Sequence, residues 1–273
     1  MERQILFRLC KKIHSNIQNY TECPPLKLSS RNVALTAIFA ALYYVLSLIL
    51  PSLYAVGVPN LQIRLEALIA SVFGLILGPY LGAMAAVFGV LVTWVLPPCS
   101  FNPYGVPFLL SPPLNALVVG LVFYRRWKWG FALLGVLILA FLFLPPSQPL
   151  GDYYYVPIAV LWDKVIALLL IIPAVKFGKR LSHSARLPLL FFFICFTGNQ
   201  ADNMWGSDVF SIPSVYGLFF PSLEAVRGAF TVSPFFYPAI RLVEAVIATI
   251  VAVPLMRSLK DTKWIVREKS IIE

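Results

Sequence analysis

Charge is scarce in this sequence, and what there is leans one way. Of 273 residues only 12% are charged, 22 basic against 12 acidic, while 59% are hydrophobic. An ordinary soluble domain carries about a quarter charged residues. A chain with so little polar surface cannot cover itself in water, so a soluble globular fold is excluded and lipid is left as the covering solvent. Histidine is scarcer still. His14 and His183 both sit among basic residues and read as solvated side chains, and two distant histidines exclude a histidine-rich metal site. The four cysteines, Cys10, Cys23, Cys99 and Cys195, show neither paired metal spacing nor a disulfide framework.

The signatures of soluble catalysis are missing as well. There is no H-E-x-x-H, and the nearest approach to a phosphate loop is Gly178-Lys179-Arg180. That tripeptide lacks the glycine five positions earlier and the Ser or Thr that would hold magnesium. No cofactor and no enzymatic activity are expected, and nucleotide energy, if used, must come from another subunit. No signal peptide is expected either, because the basic start lacks an uninterrupted apolar core before the first span.

Long apolar runs are what the sequence does have. A helix needs roughly 17 to 25 such residues to cross the hydrocarbon core, and about eight spans fall near 32–50, 62–77, 79–96, 107–124, 130–145, 156–175, 187–206 and 238–257. The second and fifth are short enough to tilt into the core of the bundle. The reading is an all-α, polytopic transmembrane helix bundle over residues 32–260. It is preceded by a cytoplasmic amphipathic segment over 1–31 and followed by a cytoplasmic tail over 261–273.

Lys and Arg orient these spans, since positively charged loops stay cytoplasmic. Clusters precede the first span and follow the fourth, sixth and eighth, and together they hold 18 of the 22 basic residues. Both termini are therefore expected in the cytoplasm of a multi-pass cell-membrane protein. Short juxtamembrane clusters without an RNA-binding pattern point to anionic lipid rather than nucleic acid as their partner. Ile5, Leu9, Ile13 and Ile17 recur every fourth position with Arg8, Lys11 and Lys12 between them, the pattern of a helix lying on the inner leaflet.

Ionisable groups at membrane depth are costly, so each is a functional candidate. Arg64 and Glu66 open the second span, Asp163 and Lys164 lie about 10 Å into the sixth, and Arg241 and Glu244 occupy the first turns of the eighth. Asn199, Gln200, Asp202 and Asn203 fill the last turns of the seventh, ending at Trp205. All fall in the outer half of the membrane, which predicts a water-accessible pocket open to the exterior. Asn102, Tyr104 and Asn115 join these as substrate-binding candidates. Arg241 and Glu244, spaced i, i+3, can instead neutralise each other. Asp163 and Lys164 diverge by about 100° and are expected to find partners on other helices. The outer stretches 97–105 and 207–236, rich in Pro, Gly and aromatics, are expected to order over the pocket as lids, and Tyr153 to Tyr155 are expected in an interfacial belt.

Small residues give a second signal. Ala37 and Ala41 share one face of the first span, where another helix can approach closely or pack within the bundle. Gly78-Pro79-Tyr80-Leu81-Gly82 reads as a tight turn.

The motifs Ala34-Leu35-Thr36-Ala37-x-x-x-Ala41, Ile63-Arg64-Leu65-Glu66-Ala67-Leu68 and Phe73-Gly74-Leu75-Ile76-Leu77-Gly78-Pro79-Tyr80-Leu81-Gly82 occur in this order. A proline-bearing fourth span ending in basic residues follows, and the last helix runs Pro238 to Leu259. In this the chain resembles the substrate-binding S component of energy-coupling factor (ECF) vitamin transporters, most closely over 32–126 and 187–260. The resemblance implies a six-helix core that binds a vitamin or related micronutrient near its outer face. It also implies a coupling membrane subunit and ATP-binding subunits in trans, with Ala37 and Ala41 matching the face that docks the coupling subunit. The spans over about 130–176 then form an inserted hairpin. The expected function is substrate capture for a micronutrient importer. An intramembrane enzyme using Asp163, Asp202 or Glu244 and an ion-driven secondary transporter are the competing readings.

Overall fold

The computed structural model of the chain describes residues 29–50, 52–54, 62–97, 101, 103–181, 186–232, 234–259 and 271. The amphipathic helix expected over the first 20 residues lies outside them. Two compact units divide the chain, Met1–Ala34 and Leu35–Glu273. Within the first, the Asn32 and Val33 amides donate to Ser29 Oγ at 3.3 Å and to Ser29 O at 3.1 Å, so Ser29 caps the start of helix α1 (Ser30–Ile49).

The second unit is an all-α membrane bundle. After α1 come α2 (Ile69–Val95), α3 (Ser111–Phe123), α4 (Trp127–Phe143), α5 (Tyr155–Lys176), α6 (Leu187–Phe210), α7 (Leu223–Val232) and α8 (Phe236–Leu259). Short helical turns fill most of the links. A two-stranded antiparallel ribbon, β1 (Ser52–Tyr54) and β2 (Gln62–Arg64), pairs Leu53 with Ile63 in the link after α1. Sequence periodicity gives no hint of that ribbon, because three residues are too few to establish an alternation.

Helix α2 is two arms rather than one rod. Gly78 has φ +80°, a left-handed conformation that glycine adopts without a Cβ penalty, and Pro79 follows it. In a straight helix residues 73 and 82 would lie about 13 Å apart along the axis. A Cβ on Gly82 would instead sit 2.8 Å from the Phe73 carbonyl oxygen. Tyr43 of α1 touches both arms, with its ring 6.4 Å from that of Phe73 and its Cβ 2.6 Å from where a Cβ on Gly89 would stand. The chain therefore reverses at the turn that the sequence places there. Every residue from Ala67 to Pro79 is buried, so the short second pass lies in the core, as an all-round apolar helix does. The fifth does not: α4 exposes Val136, Leu139 and Phe143.

Five described helices are long and apolar enough to cross a membrane, including α1, α2, α5 and α8, and α4 is a shorter apolar one. Exposed Ile38, Leu139, Ile158, Leu169, Val243 and Ile250 spread over α1, α4, α5 and α8 and supply a lipid-facing surface. Helix α3 packs on α2 and α6, and α6 packs in turn on α5 and α8. At one end of this unit the Gly78 turn meets the α3–α4 link: Tyr124 Oη donates to Leu75 O at 2.7 Å, and Arg126 Nη1 to Tyr80 Oη at 3.2 Å. The Ile271 amide donates to Phe123 O at 2.8 Å at the same end. Opposite it lie the links 145–153 and 211–235.

Candidate binding cavity

At that opposite end the helices part around a cavity of about 230 Å³. Its polar lining comes from several helices, with Ser111 at the start of α3. Helix α5 supplies Lys164, α6 supplies Asp202, Asn203 and Ser207, and α8 supplies Arg241. Aromatic walls come from Tyr43, Trp94, Phe108, Phe210, Phe230 and Tyr237. The pattern is an apolar cleft with a few convergent polar groups, the usual build of a small-molecule site.

The charges are paired, as buried charges must be. Arg241 Nη1 donates to Glu244 Oε2 at 2.8 Å, and its Nη2 lies 3.6 Å from Asp202 Oδ1. Both the i, i+3 neutralisation and a partner on another helix are thus present. Asp163 and Lys164 differ from expectation: they bind each other, Lys164 Nζ standing 2.9 Å from Asp163 Oδ1, and the Lys164 amide donates to the same oxygen at 3.0 Å. Adjacent residues diverge at the Cα, but the four-carbon lysine stem bends back far enough to reach. Asp163 is thereby held behind the wall while Lys164 reaches the cavity.

Of the twelve substrate-binding candidates, Asp202, Asn203 and Arg241 line the cavity and Glu244 stands behind Arg241. Asn115 and Asn199 belong to an interhelical network instead: Asn115 Nδ2 donates to Asn199 Oδ1 at 2.7 Å, and Ser71 Oγ donates to Asn115 Oδ1 at 2.8 Å. Gln200 is fully buried outside the cavity lining, Trp205 is half-buried between the core and the outer aromatic cluster, and Tyr104 packs against Phe219 with ring centroids 5.5 Å apart. Asn102 and the side chains of Arg64 and Glu66 lie outside the described residues. Ala37 and Ala41 are both exposed on α1, which turns Leu35, Thr36, Ala40 and Tyr43 inward.

The 207–236 stretch holds more helix than a loop reading allows. It begins as the last turn of α6, and α7 within it brings Ala229 and Phe230 to the cavity. Tyr154 and Tyr155 are exposed, but Tyr153 departs from the belt, its hydroxyl donating to Glu224 Oε1 at 3.3 Å. Aromatic walls are what the sequence leads one to expect of such a pocket, but the residues that form them were not singled out from the sequence. Trp94, Phe210 and Tyr237 stand near helix ends, where an interfacial belt is the default reading, and Tyr43 lies inside α1.

The family model described as ECF-type riboflavin transporter, S component, matches residues 27–144. The resemblance to ECF S components holds over that stretch. It runs from just before α1 to just past α4 and takes in the Ala37/Ala41 face and the Gly78 turn. The chain is similar to that family over this stretch, and its apolar helices support a multi-pass membrane protein. No curated protein and no solved structure matches the chain.

Proposed function

We propose that the chain captures a flat, hydrogen-bonding micronutrient of the flavin class and hands it to a coupling subunit energised by separate ATPases. The observation that carries the reading is the cavity, in which aromatic walls stand over Lys164, Asp202, Asn203 and Arg241. Aromatic faces suit a planar ring system, and a handful of buried polar groups suit its edge. The riboflavin description of the matching family agrees with that chemistry. The exposed Ala37/Ala41 strip is the docking face for the coupling subunit, where small side chains let a second helix approach. Basic clusters face anionic lipid on the cytoplasmic side, so the cavity opens outward.

The test is a titration of the purified chain in lipid nanodiscs with riboflavin, followed by quenching of tryptophan fluorescence, since Trp94 lines the cavity. Saturable binding without turnover is expected. No saturable quenching, together with no small molecule retained by the gently purified protein in mass spectrometry, would overturn the proposal. Product formation in detergent would favour an enzyme, and uptake into liposomes by the chain alone under an ion gradient a secondary transporter.

A further inference from the structure

Helix α7 forms part of the cavity wall, yet little in its own ten residues explains why it stays there. Isolated helices that short are marginal, and only Val226 and Arg227 along it are buried. Arg227, 6% exposed, is the exception that reaches far. Its Nε donates to Pro146 O at 3.2 Å, and its Nη2 donates to Gln148 O at 2.5 Å and Pro145 O at 3.4 Å. Nη1 donates to Glu224 Oε1, and the guanidinium lies 3.3 Å above the ring of Tyr153. The three backbone acceptors belong to the link between α4 and α5. That link is made of short helical turns, Pro145–Ser147 and Leu150–Tyr153, rather than one continuous helix. Pro145 O also accepts the Gln148 amide at 3.2 Å, and Arg227 brings a donor to the Pro146 and Gln148 carbonyls from outside the link. Only a planar guanidinium can meet a row of carbonyls, a carboxylate and a ring face together.

Other contacts run the same way. Trp162 Nε1 of α5 donates to Pro234 O at 3.1 Å, and the Phe230 ring meets Phe141 of α4 edge-on at 5.5 Å. Phe230 and Ala229 line the cavity, whereas Arg227 does not.

We propose that Arg227 is a positioning residue for the cavity: by gripping the α4–α5 link it holds α7 in place as a wall. The hairpin of α4 and α5 is on this view the anchor of the cavity's cover, and α5 lends Lys164 to its lining. The inference concerns the wall and does not depend on which solute binds.

Cysteine accessibility in the full-length chain in nanodiscs tests it. Cys10, Cys23 and Cys99 are replaced by Ser, buried Cys195 is kept as a reporter of the bundle, and Ser207→Cys places a thiol in the cavity lining. The rate of reaction with a bulky water-soluble maleimide should rise roughly ten-fold or more in Arg227→Ala, since losing one buried charge-assisted bond suffices for that factor. Arg227→Lys should also raise it, because an ammonium cannot replace the fork, and Tyr153→Leu should raise it less. Cys195 should stay unreactive throughout. An unchanged rate at Ser207→Cys in Arg227→Ala, with Cys195 protected, would overturn the proposal. Should Arg227→Ala expose Cys195, the two milder variants decide, and unchanged rates in both would overturn it equally.

Discussion

Around Gly198, α6 lies in near-backbone contact with its neighbours, whereas from Asp202 to Phe210 the same helix faces a cavity. At Gly198 a Cβ would stand 2.3 Å from both Asn115 Oδ1 and Val119 Cγ2 of α3, and one on Gly74 would stand 2.3 Å from Ala116 O. Three helices thus converge where side chains are absent. One to three turns further along α6, Asp202, paired with Arg241, and Phe210, which meets Phe230, intervene, and the helices part. Small residues close the bundle and large or charged ones open it, as membrane helix packing by van der Waals contact predicts. The cavity is the open end of a wedge.

The largest expected effect breaks the closed end. Gly198→Leu has no room to form beside α3, and the neighbour is partly backbone-fixed, so destabilisation should exceed about 3 kcal/mol. The yield of monodisperse protein and a thermal melt in detergent check it. A wild-type melt would show that the helices can spread at Gly198, and the wedge description would be wrong.

Next in size is Arg241→Ala at the open end. It leaves Asp202 and Glu244 as buried, unpaired carboxylates, a loss of about 3 to 5 kcal/mol for a broken buried pair, and it removes a cavity-lining donor. Riboflavin binding should fall roughly hundred-fold or more. Arg241→Lys, which keeps the charge but not the fork, should recover part of it. Equal binding by wild type and Arg241→Ala would place the ligand elsewhere.

A smaller effect separates the two regions. Asn199→Ala removes the acceptor of the Asn115 bond below the cavity, so stability should drop by about 1 to 2 kcal/mol while riboflavin affinity changes less than about three-fold. A large affinity loss with an unchanged melt would return Asn199 to the ligand-binding set.

These contrasts also mark what the sequence can and cannot say. The polytopic helical bundle, the Gly78 reversal and the gathering of Asp202, Asn203 and Arg241 were legible, because hydropathy and the rarity of buried charge are strong signals per residue. Asn115 and Asn199 were not separable from ligand groups, since a polar side chain at membrane depth looks the same whether it bonds a solute or another helix. Arg227 was invisible in function, because its acceptors are carbonyls some 80 residues away in the chain. Asp163 and Lys164 misled because helix geometry fixes the Cβ directions but not where a long lysine stem ends.

The smallest expected effect on the isolated chain belongs to Ala37→Trp and Ala41→Trp. Both residues are exposed on α1, one turn apart, while Leu35, Ala40 and Tyr43 of the same helix point inward. An indole on the outer face displaces lipid rather than core, so the melt should move by no more than about 0.5 kcal/mol, the range of surface changes away from special features. Riboflavin affinity should be retained, since neither alanine lines the cavity. Uptake in cells supplying the coupling subunit and ATPases should nevertheless vanish, together with co-purification of the coupling subunit, because an indole keeps a second helix from the strip. Lost binding alongside lost uptake would show that these alanines support the cavity, and full uptake by the double variant would remove the docking assignment.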